Sequence, residues 1–400
     1  MHDDRLRAIQ AALAAEGLDG WLFYDFRGSD PIAARILGLG DRLATRRWFY
    51  LIPARAEPRG LVSAVEPGAL AGLPGPMTVY RTWQELHAGL AAMLAGVGAV
   101  AMQYSPLNAV PYVARVDAGT MELVRQSGVE VRTSADLVQR FEAVWTPDQY
   151  ASHCRAARGV RGAVDAAFAE IGARSRAGRP CDEGGVQRFL LEQFAARGLV
   201  THHPPIVAAG AHSADPHYQT PANGRALGPG EFVLIDLWAK EPDGVYADIT
   251  WTGYVGTTIP AHHAAVFDVV RRARDAGVAA ARHGLATADA PRGCDVDAAV
   301  RGVIEAAGYG AQFVHRTGHS IGVEVHGNGA NIDGFETPDA RRLLPGTCFS
   351  IEPGIYLPGE FGVRSELNAF VDGAEIVVTG EPVQTAVVAI LGDAAAPQSL

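Results

Sequence analysis

The chain has 400 residues, of which 48% are hydrophobic and 20% are charged, as in ordinary globular proteins. Its length predicts two domains, because single hydrophobic cores stop growing near roughly 250 to 300 residues. A formal net charge of −10 argues against a nucleic-acid partner, and no apolar run approaches the roughly 20 residues of a membrane span.

The first segment, MHDDRLRAIQAALAAEGLDG, has early acidic residues and an amphipathic pattern that ends at a glycine. This pattern predicts a helix from Arg5 to Glu16 rather than a signal peptide. The chain also has four cysteines, none of them in a C-x-x-C pair: Cys154, Cys181, Cys294 and Cys348. Reduced thiols in a cytoplasmic protein are therefore expected, rather than disulfides.

Helix-like and strand-like stretches alternate from the N-terminus to about Glu142. The strand-like stretches are GWLFYD, RWFYLIPA, GLVSAV, AVAMQY and VEVRTS. The helix-like stretches are Arg5 to Glu16, Thr82 to Ala95 and Tyr112 to Gln126. This alternation predicts a small α/β domain over residues 1–143, in which we find no phosphate loop or dinucleotide fingerprint.

A helix start marks the second predicted domain, residues 144–400. Thr146 is a capping residue, and Pro147 occupies the first helical position of a long amphipathic stretch. Three further helices are predicted: Asp182 to Arg197, Pro260 to His283 and Asp295 to Ala307. With the two hairpins described next, they predict a sheet covered by helices on one side.

The stretch FVLIDLWAKEPDGVYADITWTG predicts a hairpin that carries two aspartates, Asp236 and Asp248. If the strands pair about Pro242, the two carboxylates lie directly opposite each other, with Cβ atoms roughly 5 Å apart. Two buried carboxylates at that distance need a shared proton or a cation between them. Two aspartates at an exposed strand edge would show the same spacing, so this hairpin alone leaves both interpretations open.

A second acidic hairpin follows in the C-terminal third, TCFSIEPGIYLPGEFGVRSELNAFV. Strands that pair about Gly359 place Glu352 opposite Glu366. Between the two hairpins, HRTGHSIGVEVHG carries three histidines, His315, His319 and His326. Their spacing would share one face of a helix, whereas the glycines of the segment favour a tight irregular loop. One imidazole with four carboxylates suits manganese, cobalt or zinc as a dinuclear pair.

These residues resemble the pita-bread metallopeptidases, which include methionine aminopeptidase, aminopeptidase P and prolidase (Xaa-Pro dipeptidase). The family pattern is Asp, then Asp-x-Thr after a hairpin, a Gly-His loop, Glu-Pro-Gly and Arg-x-Glu. The chain matches it with Asp236, Asp248-Ile249-Thr250, Thr317-Gly318-His319, Glu352-Pro353-Gly354 and Arg364-Ser365-Glu366. The match runs from about Thr146 to the C-terminus, and a preceding α/β domain is typical of the prolidase and aminopeptidase P branch.

The resemblance implies an α+β pita-bread catalytic domain that hydrolyses the Xaa-Pro bond of a small peptide, most simply a dipeptide. It implies two divalent cations, with manganese favoured and zinc or cobalt as alternatives, and a homodimer. The implied metal ligands are Asp236, Asp248, His319, Glu352 and Glu366. A hydroxide bridging the two cations would be the nucleophile, because a metal lowers the pKa of its bound water.

The resemblance and the strand geometry together lead us to expect three further roles. Glu352 would also pass a proton to the leaving nitrogen. His217 and His326 match histidines that contact the substrate or its oxyanion, although a lone histidine is more often a surface or core residue. Arg364, two residues before Glu366, would face the site and bind the free carboxylate of a dipeptide, or would only neutralise the acidic ligands.

Other readings of this family remain as alternatives. An aminopeptidase P would prefer longer peptides, and a methionine aminopeptidase usually lacks the N-terminal domain. Creatinase-type relatives work without metal, and relatives that only bind partners have lost ligands that this chain keeps. The chain also departs from the family pattern, because Leu237 and Trp238 follow the first aspartate in place of x-Gly, and Trp251 replaces an arginine.

Overall fold

A computed structural model describes residues 3–40, 44–287 and 290–392 of the protein. The chain divides into two compact units, Met1–Glu142 and Ala143–Leu400. The sequence placed the domain boundary between residues 143 and 144, and the outer end of the second predicted domain, 393–400, lies outside the described residues.

The first unit is built from one mixed sheet and the helices that pack on it. Its strands are β1 (Gly20–Asp25), β2 (Trp48–Pro53), β3 (Arg59–Ser63), β4 (Met77–Tyr80), β5 (Ala99–Met102) and β6 (Glu130–Thr133). They lie in the order β4-β3-β2-β1-β5-β6. Its helices are α1 (Asp3–Ala15), α2 (Pro31–Leu37), α3 (Trp83–Leu94), α4 (Ala118–Arg125) and α5 (Ala135–Val138).

Both faces of this sheet are buried, because successive side chains of β1 enter different cores. Trp21 and Phe23 belong to the core that α1, α2 and α5 cover. Leu22 and Tyr24 belong to the core under α3 and α4. The predicted α/β domain is therefore confirmed.

The second unit has four longer helices and two acidic hairpins among its described residues. The helices are α6 (Pro147–Arg176), α7 (Glu183–Ala196), α8 (Ala261–Leu285) and α9 (Gly293–Ala306). The strands are β7 (Ile206–Ala209), β8 (Phe232–Ala239), β9 (Ala247–Tyr254), β10 (Ser320–Ile321), β11 (Cys348–Ile351), β12 (Gly354–Leu357), β13 (Phe361–Arg364), β14 (Leu367–Asp372), β15 (Glu375–Thr379) and β16 (Val388–Ala389).

Strand β8 shows how the second unit separates its core from its site. Ile235 and Leu237 enter the core that α6 and α7 cover. Asp236 and Trp238 alternate with them and therefore leave the opposite face of the strand. Thr146 caps α6 through a capping box with Gln149, as its position before Pro147 predicted. Helices therefore cover one side of this strand, as predicted, but the two acidic hairpins belong to separate sheets rather than to one.

A few predicted elements differ from the observed ones. The helix predicted from Tyr112 begins only at Ala118, where Asp117 accepts a hydrogen bond from the N–H of Thr120. Residues 111–113 form a separate 3-10 turn. In the first unit, α2, α5 and β4 were not predicted. Within the described residues, no helix has the length and apolar character needed to cross a membrane.

Candidate metal centre

The register of the first acidic hairpin, β8–β9, differs from the prediction. Asp236 pairs with Thr250, and Trp238 pairs with Asp248. The pairing is therefore centred on Asp243 rather than on Pro242, and the two aspartates are diagonal neighbours instead of directly opposite. Because Asp248 and Thr250 are two residues apart, both aspartates still leave the same face of the hairpin.

The register of the second acidic hairpin is as predicted. Gly354 pairs with Arg364 across β12–β13, and Ile351 pairs with Leu367 across β11–β14. Both pairs are centred on Gly359, whose φ of +82° gives the left-handed turn that glycine tolerates best. Glu352 and Glu366 lie between these two paired segments, at equivalent distances from Gly359.

Two side chains join the hairpins to each other. Asn368 of β14 accepts a hydrogen bond from the N–H of Asp248 at 3.0 Å, and its Nδ2 donates to the carbonyl of Asp248. The Thr250 hydroxyl donates to Oε2 of Glu366 at 2.8 Å. Asp248 and Glu366 are therefore fixed against each other through buried polar contacts.

His319 enters the site on an irregular loop, as the glycines of this segment indicated. Its backbone N–H donates to Oγ of Ser350 at 2.9 Å, and Ser350 in turn donates to Oε1 of Glu352 at 2.9 Å. Gly318 packs so closely on β11 that a Cβ there would lie 2.0 Å from the Ser350 carbonyl oxygen. The loop is thus held directly on the strand that leads to Glu352.

The imidazole of His319 is oriented as a metal ligand would be. Its Nδ1 lies 3.1 Å from the carbonyl oxygen of Ser320, which can only accept, so Nδ1 carries the proton. Nε2, the other ring nitrogen, lies 3.3 Å from Oε1 of Glu352 and 3.6 Å from Oδ2 of Asp248. A cation bound between them would be shared by Nε2 and the two carboxylates.

Three of the predicted ligands form a compact, buried group. Asp248, His319 and Glu366 each offer one ligand atom, and these atoms lie within 4.8 Å of one another. Oδ1 of Asp248 and Oε1 of Glu366 are buried and have no hydrogen-bond partner among the described residues. Buried acceptors of this kind are costly unless a donor or a cation satisfies them, so these residues fit a metal ion.

Asp236 is placed differently from this group. Its Oδ2 accepts a hydrogen bond from Nη2 of Arg364. The remaining bonds of the Arg364 guanidinium go to the Thr250 hydroxyl at 3.0 Å, and to the Pro216 carbonyl and the Tyr356 hydroxyl at 3.1 Å each. Four of its five N–H groups are therefore used within the chain, which agrees with the neutralising role and leaves the substrate-binding role a prediction.

Ionisation of three of the predicted acidic ligands is costly in this environment. Burial, opposed by Arg364 and reinforced by Asp248, raises the pKa of Asp236 to about 7. Burial also raises the pKa of Asp248, and burial together with Asp248 raises the pKa of Glu366 well above its ordinary value. Bound cations would remove this cost, because an opposite charge favours the ionised form.

Glu352 behaves in the opposite way. Burial alone would raise its pKa, but His319 and Arg364 outweigh burial and the pKa is lowered. About 15% of its side chain is exposed, against 6% for Asp248. Glu352 is thus an ionised carboxylate at the accessible side of the site.

The two predicted substrate histidines lie near the centre. The ring of His326 meets the ring of His319 edge to face at 4.4 Å. His319, burial, Arg316 and His217 together lower the pKa of His326, which places all of these groups within electrostatic range. His217 is exposed and directly follows Pro216, whose carbonyl binds Arg364.

Sequence reasoning missed several side chains that support the ligands. Tyr356 binds Arg364 through its hydroxyl, and the same hydroxyl lies 2.8 Å from Nε2 of His315. Burial raises the pKa of Tyr356 to about 12. Ser350 and Asn368 each lie two residues from a predicted ligand, and a polar residue at that spacing in an apolar strand was the available signal.

The two tryptophans that depart from the family pattern occupy opposite faces of the first hairpin. Trp251 belongs to the helix-covered core, where the Arg161 guanidinium lies 3.7 Å from its ring centroid. Trp238 leaves the same face as Asp236 and Asp248 and is partly exposed. The substitution at 251 is therefore a packing feature, whereas the one at 238 borders the metal centre.

The fold and this acidic centre together define a metallopeptidase. Residues 155–372 match the model of metallopeptidase family M24, which is more than half of the chain. The chain belongs to this family, and family membership implies a metal cofactor, for which the buried group of Asp248, His319 and Glu366 is the candidate site.

Relatives with similar sequences carry dipeptidase names. The chain is 30% identical over 314 residues to the probable dipeptidase PepE of Mycobacterium tuberculosis, which covers 78% of this chain and 76% of that protein. It is 39% identical over 161 residues to the Xaa-Pro dipeptidase of Lactobacillus helveticus, which covers 40% of each chain.

Solved structures show the same fold over nearly the whole chain. Dipeptidase PepE from Mycobacterium ulcerans superposes with a TM-score of 0.74 at 25% identity and covers 97% of both chains. The prolidase from Pyrococcus horikoshii superposes with a TM-score of 0.67 at 21% identity, covering 96% of this chain and all of that one. The fold prediction, an α/β domain followed by a pita-bread domain, is therefore confirmed.

Proposed function

We propose that the protein is a metal-dependent dipeptidase that hydrolyses the Xaa-Pro bond of dipeptides. The observation that carries the proposal is the buried group of Asp248, His319 and Glu366, in which two carboxylate oxygens have no hydrogen-bond partner in the described part of the chain. The dipeptidase names of similar proteins support a dipeptide substrate, and the Lactobacillus relative supports proline after the scissile bond.

The chain offers ligands for two divalent ions. Asp236, Asp248, His319, Glu352 and Glu366 would hold these ions together. Four carboxylates balance the charge of two such ions, and their hard oxygen donors favour manganese, with zinc or cobalt as alternatives. When bound, the ions lower the pKa of a water molecule and polarise the substrate carbonyl.

Glu352 is the residue that moves a proton. One oxygen of its carboxylate, which is the more exposed one of the group, would accept a proton from the attacking water. The same oxygen then gives that proton to the leaving imino nitrogen of proline, so no net proton is gained by the protein. Ser350 donates to Oε1 of Glu352 and thereby fixes the orientation of the carboxylate.

His326 and His217 would orient the substrate. Because the surroundings of His326 lower its pKa, its ring is neutral at pH 7 and can donate one N–H without adding charge beside the metal ligands. That N–H, and the exposed ring of His217, would donate to the substrate carbonyl oxygen as negative charge develops there.

An aminopeptidase P activity on longer peptides is the second candidate. The feature that favours it is the Arg364 guanidinium, whose bonds to Asp236, Thr250 and Tyr356 leave little capacity for a substrate carboxylate. A comparison of kcat/KM for Ala-Pro and Ala-Pro-Ala separates the two. Faster cleavage of Ala-Pro supports the dipeptidase, and faster cleavage of Ala-Pro-Ala supports the aminopeptidase.

The cellular setting also follows as a proposal. The four cysteines are free thiols in the structure, which fits a reducing cytoplasm.

We propose a homodimer because the resemblance to prolidases implies one. Size-exclusion chromatography with light scattering would test the dimer, and a mass of one chain, 42.2 kDa, would contradict it.

A further inference from the structure

A buried glutamate that is not a predicted metal ligand holds the segment that carries His217. Glu183 lies in the first turn of α7 and is fully buried. Its carboxylate has four hydrogen-bond partners, each at 2.8 Å, in the order of the chain: the N–H of Ala209, Nδ1 of His212, the hydroxyl of Tyr218 and the N–H of Arg225. All four lie within residues 209–225, named the His217 segment here.

The other side of the His217 segment is bound to the strand that leads into the metal centre. The N–H of Gly362 in β13 donates to Oγ of Ser213 at 2.8 Å. Arg364, two residues further along the strand, donates to the Pro216 carbonyl at 3.1 Å. The segment is therefore held between Glu183 on one side and β13 on the other.

This arrangement has almost no free space around the carboxylate. A Cβ at Gly224 would lie 2.4 Å from Oε2 of Glu183. A Cβ at Gly184 would lie 2.2 Å from the carbonyl oxygen of Ala222. The first turn of α7 thus packs directly on the backbone of the His217 segment, and the carboxylate cannot turn away without breaking its bonds.

We infer that Glu183 is a positioning residue for peptide hydrolysis, which acts by holding His217 in place at the metal centre. A carboxylate suits this task because it accepts all four bonds at once, whereas an amide group accepts on only one of its two end atoms. The inference rests on the proposed function, since the position of His217 matters only if His217 contacts the substrate.

The direct test replaces Glu183 by glutamine, which keeps the size of the side chain. For Glu183→Gln we expect kcat/KM for Ala-Pro to fall about 10- to 100-fold, as expected for a displaced substrate-binding group. Metal content should be unchanged, because the metal ligands lie on other segments. In metal-free protein, amide hydrogen exchange should become faster in residues 209–225, and unchanged exchange there would overturn the inference.

Glu231→Gln is the matched control. Glu231 also binds the His217 segment, through the side chain of Arg225 at 2.9 Å, but it does so at the surface. Surface ion pairs contribute little, so kcat/KM should stay within about twofold of the unmodified protein.

A double-mutant cycle with His217→Ala separates positioning from general destabilisation. If Glu183 acts through His217, Glu183→Gln should cost little in the His217→Ala background, whereas independent effects would multiply and overturn the inference. If Glu183→Gln does not fold, Tyr218→Phe takes its place, because it removes a single hydrogen bond to the same carboxylate. Its effect on kcat/KM should be smaller and should likewise disappear in the His217→Ala background. Failure of the unmodified, metal-loaded protein to cleave Ala-Pro would instead contradict the proposed function.

Discussion

Arg364 and Asp236 form a buried ion pair in which Nη2 of the arginine donates to Oδ2 of the aspartate. One predicted metal ligand is thus paired with a cationic side chain of the same domain. The same guanidinium binds Thr250, whose hydroxyl also donates to Glu366. Arg364 therefore links a predicted ligand of the first hairpin to one of the second, and all of these contacts are buried.

Replacement of Arg364 by lysine tests its role. Lysine keeps the positive charge but cannot reproduce four bonds with the fixed geometry of a guanidinium. We expect kcat/KM for Ala-Pro and for Ala-Pro-Ala to fall in parallel, by roughly 10- to 100-fold, because a misplaced ligand affects both substrates. A loss confined to Ala-Pro would show instead that Arg364 binds the carboxylate of the dipeptide.

Asp236 and Glu352 should respond differently to conversion into amides. Asp236→Asn should weaken metal binding, since it removes one of four charges that balance two cations. Glu352→Gln should slow turnover by roughly 100- to 10,000-fold in metal-saturated protein, because the amide cannot accept and return a proton. Elemental analysis alongside single-turnover rates provides the measurement, and parallel losses in both variants would make Glu352 a ligand only.

Trp238 should affect the size of the residue accepted before proline. It is partly exposed on the face that carries Asp236 and Asp248, where the family pattern has glycine. For Trp238→Ala we expect kcat/KM for Phe-Pro to rise relative to Ala-Pro by about 10-fold, the usual size of pocket effects.

Trp251→Leu is the control for Trp238, since Trp251 lies on the helix-covered face of the same hairpin. It should lower Tm without changing the ratio of kcat/KM for Phe-Pro to kcat/KM for Ala-Pro. If both variants left that ratio unchanged, Trp238 would have no part in substrate selection.

Asp30 should make the stability of the N-terminal domain depend on pH. It caps α2 through the N–H of Ala33, and burial raises its pKa to about 7. Because this folded-state pKa lies above that of an unfolded aspartate, its stabilising contribution is complete below about pH 4 and is lost as pH rises through about 7. The difference between the folded and unfolded pKa values corresponds to at most about 4 kcal/mol in the free energy of unfolding.

Asparagine at position 30 keeps the cap and cannot ionise. Asp30→Asn should therefore be more stable than the unmodified protein at pH 8 and nearly equal to it at pH 4. Urea unfolding at the two pH values measures the difference, and equal stabilities at pH 8 would show that Asp30 is ionised without cost.

The acidic hairpins were largely predictable because turn chemistry is local. The turn residues Pro358 and Gly359 allowed the register of the second hairpin to be predicted correctly, since Gly359 supplies the positive φ that the turn requires. The first turn contains Pro242, Asp243 and Gly244 in a longer loop, and its centre could be assigned to either of two residues. The prediction that both aspartates leave the same face was nevertheless right. When the centre of a hairpin shifts by one residue, the residue opposite a given position changes by two, and side chains two residues apart share a face.

The supporting residues were not predictable for a different reason. Glu183 reaches residues up to 42 positions away, and Asn368 binds a backbone 120 positions away. Such contacts leave no periodic pattern in the sequence. A fully buried glutamate at a helix start has the same sequence signature as an ordinary acidic residue in the first turn.

The central claim is tested most directly by adding manganese to metal-free protein and measuring the rate of Ala-Pro hydrolysis after each addition. The nucleophile requires a metal that lowers the pKa of water, so we predict no activity without metal. Activity should rise with added manganese and reach its maximum at about two equivalents per chain, as five ligands including four carboxylates imply. Full Ala-Pro hydrolysis by protein shown to be metal-free by elemental analysis would contradict the account.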